Sequence, residues 1–240
     1  MNIFKELTEK FRTGDVLTRL LFINCGLFIL IILLDITFTL ISFGTASFAA
    51  QIFQYPWNPI VLAFRPWTVI TSMFTSYGLW HLLFNMFTLY WLGGIFLQYY
   101  TSNQLRGLYI LGAIVGMGLF TANYLLIPLF RLKEWSQAMP LASVSILTFG
   151  TALAFRAPNH QEQIPLIGAV KLKYIIIVLA LIDAALLPFV NPATDAAHLG
   201  GALVGWMFYR LLVKGKDLTA PVTAIAIWIY GLFSKRKPRP

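Results

Sequence analysis

Residues 18–43 read TRLLFINCGLFILIILLDITFTLISF, an apolar run in which Arg19, Asn24 and Asp35 are the strongly polar interruptions. A helix of roughly 20 apolar residues crosses a hydrocarbon layer about 30 Å thick, so this run predicts a membrane-spanning helix. An aspartate inside a span is costly and usually faces protein or water. Asp35 lies about two turns from the end of the run, which favours a carboxylate that snorkels to the interface.

The rest of the chain has the same character. Hydrophobic residues make up 58% of the 240 residues and charged residues 11%, and the mean hydropathy is +0.74. Soluble domains carry roughly 25% charged residues, so lipid rather than water is the main solvent. Spanning β-strands would show short alternating segments, and the apolar runs do not alternate. The sequence therefore predicts an all-α membrane protein.

Five further apolar runs follow the first and predict a bundle of six transmembrane helices. They are Trp80–Tyr99, Leu105–Phe130, Leu141–Phe155, Tyr174–Val190 and Ala196–Val213. The fourth predicted helix of the bundle, Leu141–Phe155, is short for a bilayer crossing. Its length suits a helix that begins below the membrane surface, at the bottom of a cavity.

The segments outside the spans divide the chain further. Residues 45–76 are too rich in proline for a spanning helix and too apolar for a solvated loop, which predicts a first loop half-sunk in the interface. Residues 1–17 predict a cytoplasmic amphipathic segment and residues 18–213 the membrane domain. Residues 214–240 form a basic cytoplasmic tail, in which Leu218–Phe233 is interpreted as an interfacial helix, with a seventh span as the alternative.

The basic residues indicate an orientation. The net charge is +9, from 18 Lys and Arg residues and nine Asp and Glu residues. If the N-terminus lies inside, six spans leave Arg65, Arg131 and Lys133 outside and the other fifteen inside, as the positive-inside rule expects. We therefore expect a multi-pass protein of a bacterial cytoplasmic membrane, with both termini cytoplasmic. Basic residues that sit in short segments between the apolar runs, or near the ends of those runs, indicate topology and argue against nucleic acid as a partner.

The sequence contains no pattern that is typical of a cofactor site. The single cysteine, Cys25, excludes a disulfide within the chain. No Cys and His cluster has the spacing of zinc ligands, and no glycine-rich loop is built to hold phosphate. We expect neither a cofactor nor a metal.

Four polar residues within or at the ends of the spans are candidates for chemistry, because a helix that only sits in lipid has no use for them. His81 and Asn85 are four residues apart, so they share one face of the second predicted helix. Ser143 begins the fourth helix and His198 the sixth. An imidazole close to a serine hydroxyl can activate it as a nucleophile, and His81, Asn85 and the Ser143 backbone N–H could stabilise an oxyanion. Each residue alone also has a structural interpretation, such as helix packing or capping.

Small residues follow His198 at the spacing that lets membrane helices approach closely. Gly201 and Gly205 form a small-xxx-small pair in the sixth predicted helix. Close approach is what a serine and a histidine on different helices need, since proton transfer requires about 2.6–3.2 Å between heavy atoms.

At these residues the sequence resembles the rhomboid family. His81-Leu82-Leu83-Phe84-Asn85 is similar to the family's HxxxN segment, Ala142-Ser143 to the middle of its GxS motif, and Ala197-His198-Leu199-Gly200-Gly201 to the histidine motif of its sixth helix. Arg65-Pro66-Trp67-Thr68 and the Gly93-Gly94 pair match its first loop and its second helix. The resemblance runs from about residue 17 to residue 212.

The resemblance implies an intramembrane serine endopeptidase with a Ser–His dyad and no third acidic member. It assigns Ser143 as the nucleophile, His198 as the general base, and His81 and Asn85 as the oxyanion group. It also implies a water-filled cavity open to the outer side. The expected partners are transmembrane protein substrates with helix-destabilising residues, together with the lipid bilayer.

The sequence departs from the family pattern at several positions. Leu141 replaces the GxS glycine, Val144 follows the serine where glycine is frequent, and Thr194 stands four residues before His198 in place of glycine. This bulk would separate the fourth and sixth helices, and roughly 1 Å of misplacement can cost about a hundredfold in rate. Ser76 and Gln98 replace a histidine and an acidic residue of the family.

Two alternatives to an active protease remain. The first is a catalytically weak or inactive rhomboid-like protein that binds transmembrane clients. The second is a small transporter or channel, for which Asp35 and Asp183 are the acidic residues within spans. Transporters often show an internal repeat, and the sequence has no visible one.

Overall fold

The structure is a computed structural model that describes residues 3–42, 48–128, 130, 138–164, 168–186 and 193–233. Its helices are α1 (Ile3–Thr13), α2 (Val16–Ser42), α3 (Phe48–Phe53), α4 (Pro59–Phe64), α5 (Thr68–Thr71), α6 (Leu79–Tyr99), α7 (Ser102–Leu126), α8 (Ala142–Arg156), α9 (Leu172–Leu186), α10 (Ala193–Val213) and α11 (Ala220–Phe233). Two antiparallel strand pairs join β1 (Tyr55–Pro56) to β2 (Ala138–Met139) and β3 (Gln161–Ile164) to β4 (Gly168–Lys171).

Four of these helices, α2, α6, α7 and α10, are long and apolar enough to cross a membrane. The helices α8 and α9 are apolar but shorter, in the part of the chain that the structure describes. The all-α membrane fold is therefore confirmed. The count of six spans stays a prediction, because two of the six helices fall short of the usual spanning length.

The predicted boundaries shift by three residues or more at two helices. The third predicted span was expected to reach Phe130, but α7 ends at Leu126, and Ile127 has φ −113° and ψ 97°. The reason is Pro128, since the residue before a proline is disfavoured in helical conformation. The sixth predicted span begins three residues earlier than expected, at Ala193. The end of the fifth, residues 187–190, lies outside the described residues.

The N-terminal segment forms a helix, α1, that is separated from the first span by a short break. Asp15 ends the break, where its Oδ1 accepts a hydrogen bond of 2.8 Å from the Thr18 N–H. This bond lowers the pKa of the Asp15 carboxyl, because it favours the ionised form. The carboxylate thereby satisfies a backbone donor in the first turn of α2.

The first loop folds into the short helices α3, α4 and α5 and a 3₁₀ turn over Ser72–Phe74. It is fixed to α7 by Trp57, whose ring stacks on Tyr124 with a centroid distance of 5.0 Å. Ile60 and Phe64 point away from the protein and are 69% and 78% exposed. Such exposure of large apolar side chains fits the predicted half-sunk loop, since an interface would cover them.

Helix α8 lies at the centre of the bundle, against α6, α7, α9 and α10. Glycines on α7 and α10 make room for it. A Cβ on Gly201 of α10 would lie 2.9 Å from the Val144 carbonyl oxygen, and one on Gly205 would overlap the Thr148 carbonyl oxygen. The small-xxx-small pair of α10 therefore sits against the α8 backbone, as its spacing predicts.

Two features at the opposite end of the bundle from Ser143 complete the fold. The β3–β4 hairpin between α8 and α9 was not predicted from the sequence. Helix α11 begins after the fully buried Thr219, whose side chain packs against Gly107 of α7. The interfacial position of α11 (Ala220–Phe233) stays a prediction, with a seventh span as its alternative.

Candidate active site

The hydroxyl of Ser143 and the imidazole of His198 meet between α8 and α10. Ser143 Oγ lies 2.9 Å from His198 Nε2. Both residues are buried, with 8% and 5% of their surface exposed. The distance falls within the range that proton transfer requires, so the two side chains can exchange a proton.

A backbone carbonyl sets the tautomer of His198. Its Nδ1 lies 2.9 Å from the carbonyl oxygen of Thr194, one turn earlier in α10. A carbonyl oxygen only accepts, so Nδ1 carries the proton of the neutral ring and Nε2 keeps its lone pair. The lone pair points at the Ser143 hydroxyl, which is the arrangement of a general base and its nucleophile.

His81 is held in the opposite tautomer. Its Nδ1 accepts a hydrogen bond of 3.2 Å from the Tyr77 backbone N–H, so its neutral ring carries the proton on Nε2. The Tyr77 ring lies beside it, with 5.4 Å between the ring centroids. The Nε2 atom is 3.5 Å from Asn85 Nδ2, and that amide nitrogen is 3.5 Å from Ser76 Oγ. Both nitrogens are donors in this tautomer, so the 3.5 Å contact is not a hydrogen bond between them, and His81 and Asn85 form a pair of adjacent donors.

The first turn of α8 carries Ser143 as its second residue. The first N–H of the helix to bond a carbonyl four residues back belongs to Ser145, at 3.1 Å from the Leu141 oxygen. The Ser143 N–H precedes it and so belongs to the donors that a helix leaves unpaired at its start. The segment before the helix is fixed by the Leu141 N–H, which donates to the Ser72 carbonyl oxygen at 2.8 Å.

A cavity of about 40 Å³ joins Ser143 to Asn85. It lies between α6, α8 and α9, and its walls include Thr88, Leu92 and Ile176. At about 10–15 Å³ for each water molecule, it has room for about three. Ser143 and Asn85 supply the polar contacts that such waters need, so the serine can be reached by water inside an otherwise apolar bundle.

The three departures that add bulk, Leu141, Val144 and Thr194, do not separate the helices. Leu141 and Val144 are fully buried, and a Cβ on Gly116 of α7 would lie 3.4 Å and 2.9 Å from their side chains. The absence of a side chain at Gly116 of α7 therefore accommodates the Leu141 and Val144 side chains. Thr194 is also fully buried, and its carbonyl oxygen holds His198. The expected separation is not seen, because Ser143 and His198 remain within hydrogen-bond distance.

Several residues of the site were not anticipated. Gly112 and Gly116 of α7 face Thr148 and Val144 of α8. Their spacing of four residues in an apolar helix is the sequence signal that predicts this close approach. The contribution of Tyr77 is made by a loop N–H, which no sequence pattern reveals.

The sequence placed two acidic residues within spans, Asp35 and Asp183, and the earlier start of α10 adds Asp195, three residues before His198. Asp35 lies in α2 and is half-buried. Asp183 lies in α9, and its side chain is outside what the structure describes.

Comparisons with known proteins agree with the geometry. A search of curated proteins finds no match. A family model, the Rhomboid domain, matches residues 63–215, which is more than half of the chain. The match covers α6 to α10, the helices that carry the four candidate residues. The chain therefore belongs to the rhomboid family.

Proposed function

We propose that this protein is an intramembrane serine endopeptidase that cleaves transmembrane segments by a Ser143–His198 dyad. The observation that carries the proposal is the 2.9 Å distance between Ser143 Oγ and His198 Nε2, in a histidine whose Nδ1 faces a carbonyl oxygen. Membership of the rhomboid family supports intramembrane proteolysis as the class of activity. The proposed substrates are membrane proteins, reached within the bilayer.

The first half of the reaction is acyl transfer. His198 Nε2 takes the Ser143 proton as Oγ attacks the carbonyl carbon of the scissile peptide bond. The carbonyl oxygen becomes an oxyanion, for which the Ser143 N–H and the side chains of His81 and Asn85 are the available donors. The protonated imidazole then gives its proton to the leaving amine, which breaks the C–N bond and leaves an acyl-enzyme.

Water completes the reaction. A water molecule in the cavity between Ser143 and Asn85 loses a proton to His198 and attacks the acyl carbon. The ester bond breaks, and the serine oxygen recovers its proton from the imidazole. A carbonyl at Nδ1 keeps the ring oriented, so the dyad can act without a carboxylate to fix the tautomer.

The test uses the purified full chain with a transmembrane substrate in detergent or liposomes. We expect Ser143→Ala and His198→Ala to lower the cleavage rate by about a thousandfold or more, because nucleophile and base act as a unit. Ser145→Ala is the matched control, since that buried hydroxyl lies two residues further along α8 and bonds to the Leu141 carbonyl. We expect it to keep activity within about threefold of the parent, since its hydroxyl is only locally bonded.

A fluorophosphonate probe gives a second measurement. The probe reacts with a serine activated by a base, so it should label the parent and Ser145→Ala but not Ser143→Ala. Equal cleavage by all variants, or no labelling of a folded parent, would reject the proposal. Binding of membrane clients that survives Ser143→Ala, without labelling, would favour the alternative of an inactive client-binding protein.

A further inference from the structure

A second cavity lies at the end of the bundle opposite Ser143. Its volume is about 460 Å³, and its walls come from the end of α6, the start of α7 and the last turns of α8 and α10. Ser143 begins α8 and Arg156 ends it, so the helix places the two about 20 Å apart at 1.5 Å per residue. The volume lies within the range of small-molecule sites, roughly 300–1,000 Å³. The cavity is therefore separate from the candidate active site and large enough for a ligand.

Arg156 is the charged residue of this cavity wall. Arg156 is exposed. Within the described part of the chain, no carboxylate lies within 4 Å of its guanidinium, and the ion pair found there joins His160 to Glu162. An arginine presents five N–H donors in a planar fork that matches phosphate geometry. The cavity thus offers positive charge and directed donors to a ligand.

The nearby carboxylates are occupied by other donors. Asp217 Oδ1 accepts from the Thr219 N–H and hydroxyl, and Oδ2 accepts from Gln104 at 3.1 Å. Glu162 faces His160 at 2.8 Å and accepts from the Trp91 indole at 3.3 Å. Neither acid therefore neutralises Arg156.

A phenol lines the same cavity as the arginine. Tyr209 is half-buried in the cavity wall, and its ring stacks on Phe155 with 5.9 Å between centroids. Arg156, Tyr209 and Tyr100 all line this cavity. The Tyr100 hydroxyl donates to the Ala152 carbonyl oxygen at 3.3 Å. Within the described residues the Tyr209 hydroxyl has no hydrogen-bond partner, which leaves it available as a donor.

Apolar side chains also line the cavity. Leu97 and Leu212 are half-buried, and Val213 is 68% exposed at the end of the spanning helix α10. Tyrosines prefer the boundary between hydrocarbon and headgroups, and Tyr99, Tyr100 and Tyr209 place that boundary at the cavity. A ligand here would meet an arginine, a phenol and apolar surface in one cavity.

We propose that this cavity binds the headgroup of an anionic phospholipid. Arg156 pairs with the phosphate, the Tyr209 hydroxyl donates to a second phosphate oxygen, and the acyl chains extend from the cavity towards the hydrocarbon, in the direction of the Ser143 end. Arg210, Lys214 and Lys216 at the same end of the bundle add positive potential that attracts anionic lipid. The site is independent of the proteolysis proposed at Ser143.

The test titrates the full chain, purified in a neutral detergent, with phosphatidylglycerol or phosphatidylcholine and counts bound lipids by native mass spectrometry. We expect tighter binding of the anionic lipid, and a loss of at least about tenfold in its affinity in Arg156→Gln, as removal of a charge-assisted hydrogen bond predicts. Tyr209→Phe keeps the ring and should weaken binding less. Arg156→Lys should retain part of the preference, because it keeps the charge without the fork.

Arg106→Gln is the matched control. Arg106 carries the same charge at the same end of the bundle, but it bonds to Ser102 and Asn103 of its own helix and lies outside the cavity wall. We expect it to bind phosphatidylglycerol within about twofold of the parent, since screened surface charges contribute little.

Three results would overturn the proposal. Equal losses in Arg156→Gln and Arg106→Gln would show general charge attraction. Equal affinity for the two lipids would remove the role of net charge. Displacement of phosphatidylglycerol by millimolar inorganic phosphate would show that the occupant is a soluble phosphate compound. Tyr209→Phe and Arg156→Lys keep the test decisive if Arg156→Gln lowers the thermal stability.

Discussion

At the scale of single residues, two histidines of this protein are prepared for opposite tasks by one backbone group each. A carbonyl oxygen at Nδ1 of His198 leaves its Nε2 as an acceptor, whereas an N–H at Nδ1 of His81 makes its Nε2 a donor. The first tautomer suits a base beside Ser143, and the second suits stabilisation of a developing negative charge. The local backbone thus differentiates two chemically identical rings.

Asn85 provides the prediction at this scale. We expect Asn85→Ala to lower kcat by about a hundredfold with a smaller change in KM, because an oxyanion donor acts mainly in the transition state. Thr88→Ala is the matched control, since Thr88 lines the same cavity but its hydroxyl donates to the Phe84 carbonyl oxygen at 2.8 Å. Steady-state cleavage of a transmembrane substrate measures both. An equal fall in kcat for the two variants would mean that Asn85 serves only the shape of the cavity.

The sequence predicted part of this arrangement. The four-residue spacing of His81 and Asn85 placed them on one helical face, and the structure brings their side chains to 3.5 Å. The tautomers could not be predicted, because they depend on the Tyr77 N–H in a loop and on a carbonyl at Thr194. A backbone group carries no signature in the sequence.

At the scale of elements, α8 is the helix on which the site depends, and it is held by glycines on two sides. Gly112 and Gly116 of α7 and Gly201 and Gly205 of α10 give their space to α8 side chains and backbone. Without a hydrophobic driving force between helices in lipid, such close packing is a main source of their association. Small residues on the neighbours therefore fix where Ser143 lies.

Gly205 and Gly118 test this packing. A Cβ on Gly205 would overlap the Thr148 carbonyl oxygen, whereas a Cβ on the exposed Gly118 of α7 meets nothing within 4 Å. We expect Gly205→Ala to destabilise the protein by about 1–3 kcal/mol, as overpacking does. Gly118→Ala should be neutral or stabilising by about 0.5–1 kcal/mol, because alanine favours a helix over glycine. Thermal unfolding in detergent compares the two, and similar melting temperatures would contradict close packing at Gly205.

The element boundaries show where sequence interpretation reached its limit. Apolar runs placed the ends of α6 and α8 to within one residue, because length and hydropathy define a buried helix well. The end of α7 was placed too late, since the run stays apolar after Leu126 and only Pro128 interrupts the helix. The β3–β4 hairpin is short and polar, so it has no apolar pattern to announce it.

At the scale of the whole molecule, charge is distributed unequally between the two ends of the bundle. In the described chain, Arg156, Arg210 and Lys216 lie at the end where α8 and α10 finish, and Arg65 is the basic residue of the first loop at the other end. The positive-inside rule relates such a difference to orientation. The rule predicts a cytoplasmic cavity at Arg156 and a candidate active site nearer the outer surface.

Cysteine labelling tests this orientation directly, because Cys25 is the chain's single cysteine and Cys25→Ser gives a cysteine-free background. In that background Gln51→Cys places a thiol on α3. This helix precedes β1, which pairs with β2 just before α8, so the thiol marks the Ser143 end of the bundle. Lys216→Cys places a second thiol after the end of α10. Both native residues are exposed. In intact bacterial spheroplasts, a membrane-impermeant maleimide should label the thiol at position 51 at once and the thiol at position 216 only after lysis. The reverse labelling pattern would place the Ser143 end in the cytoplasm and the Arg156 cavity outside. Labelling of both thiols before lysis would show that α10 does not carry the chain across the membrane.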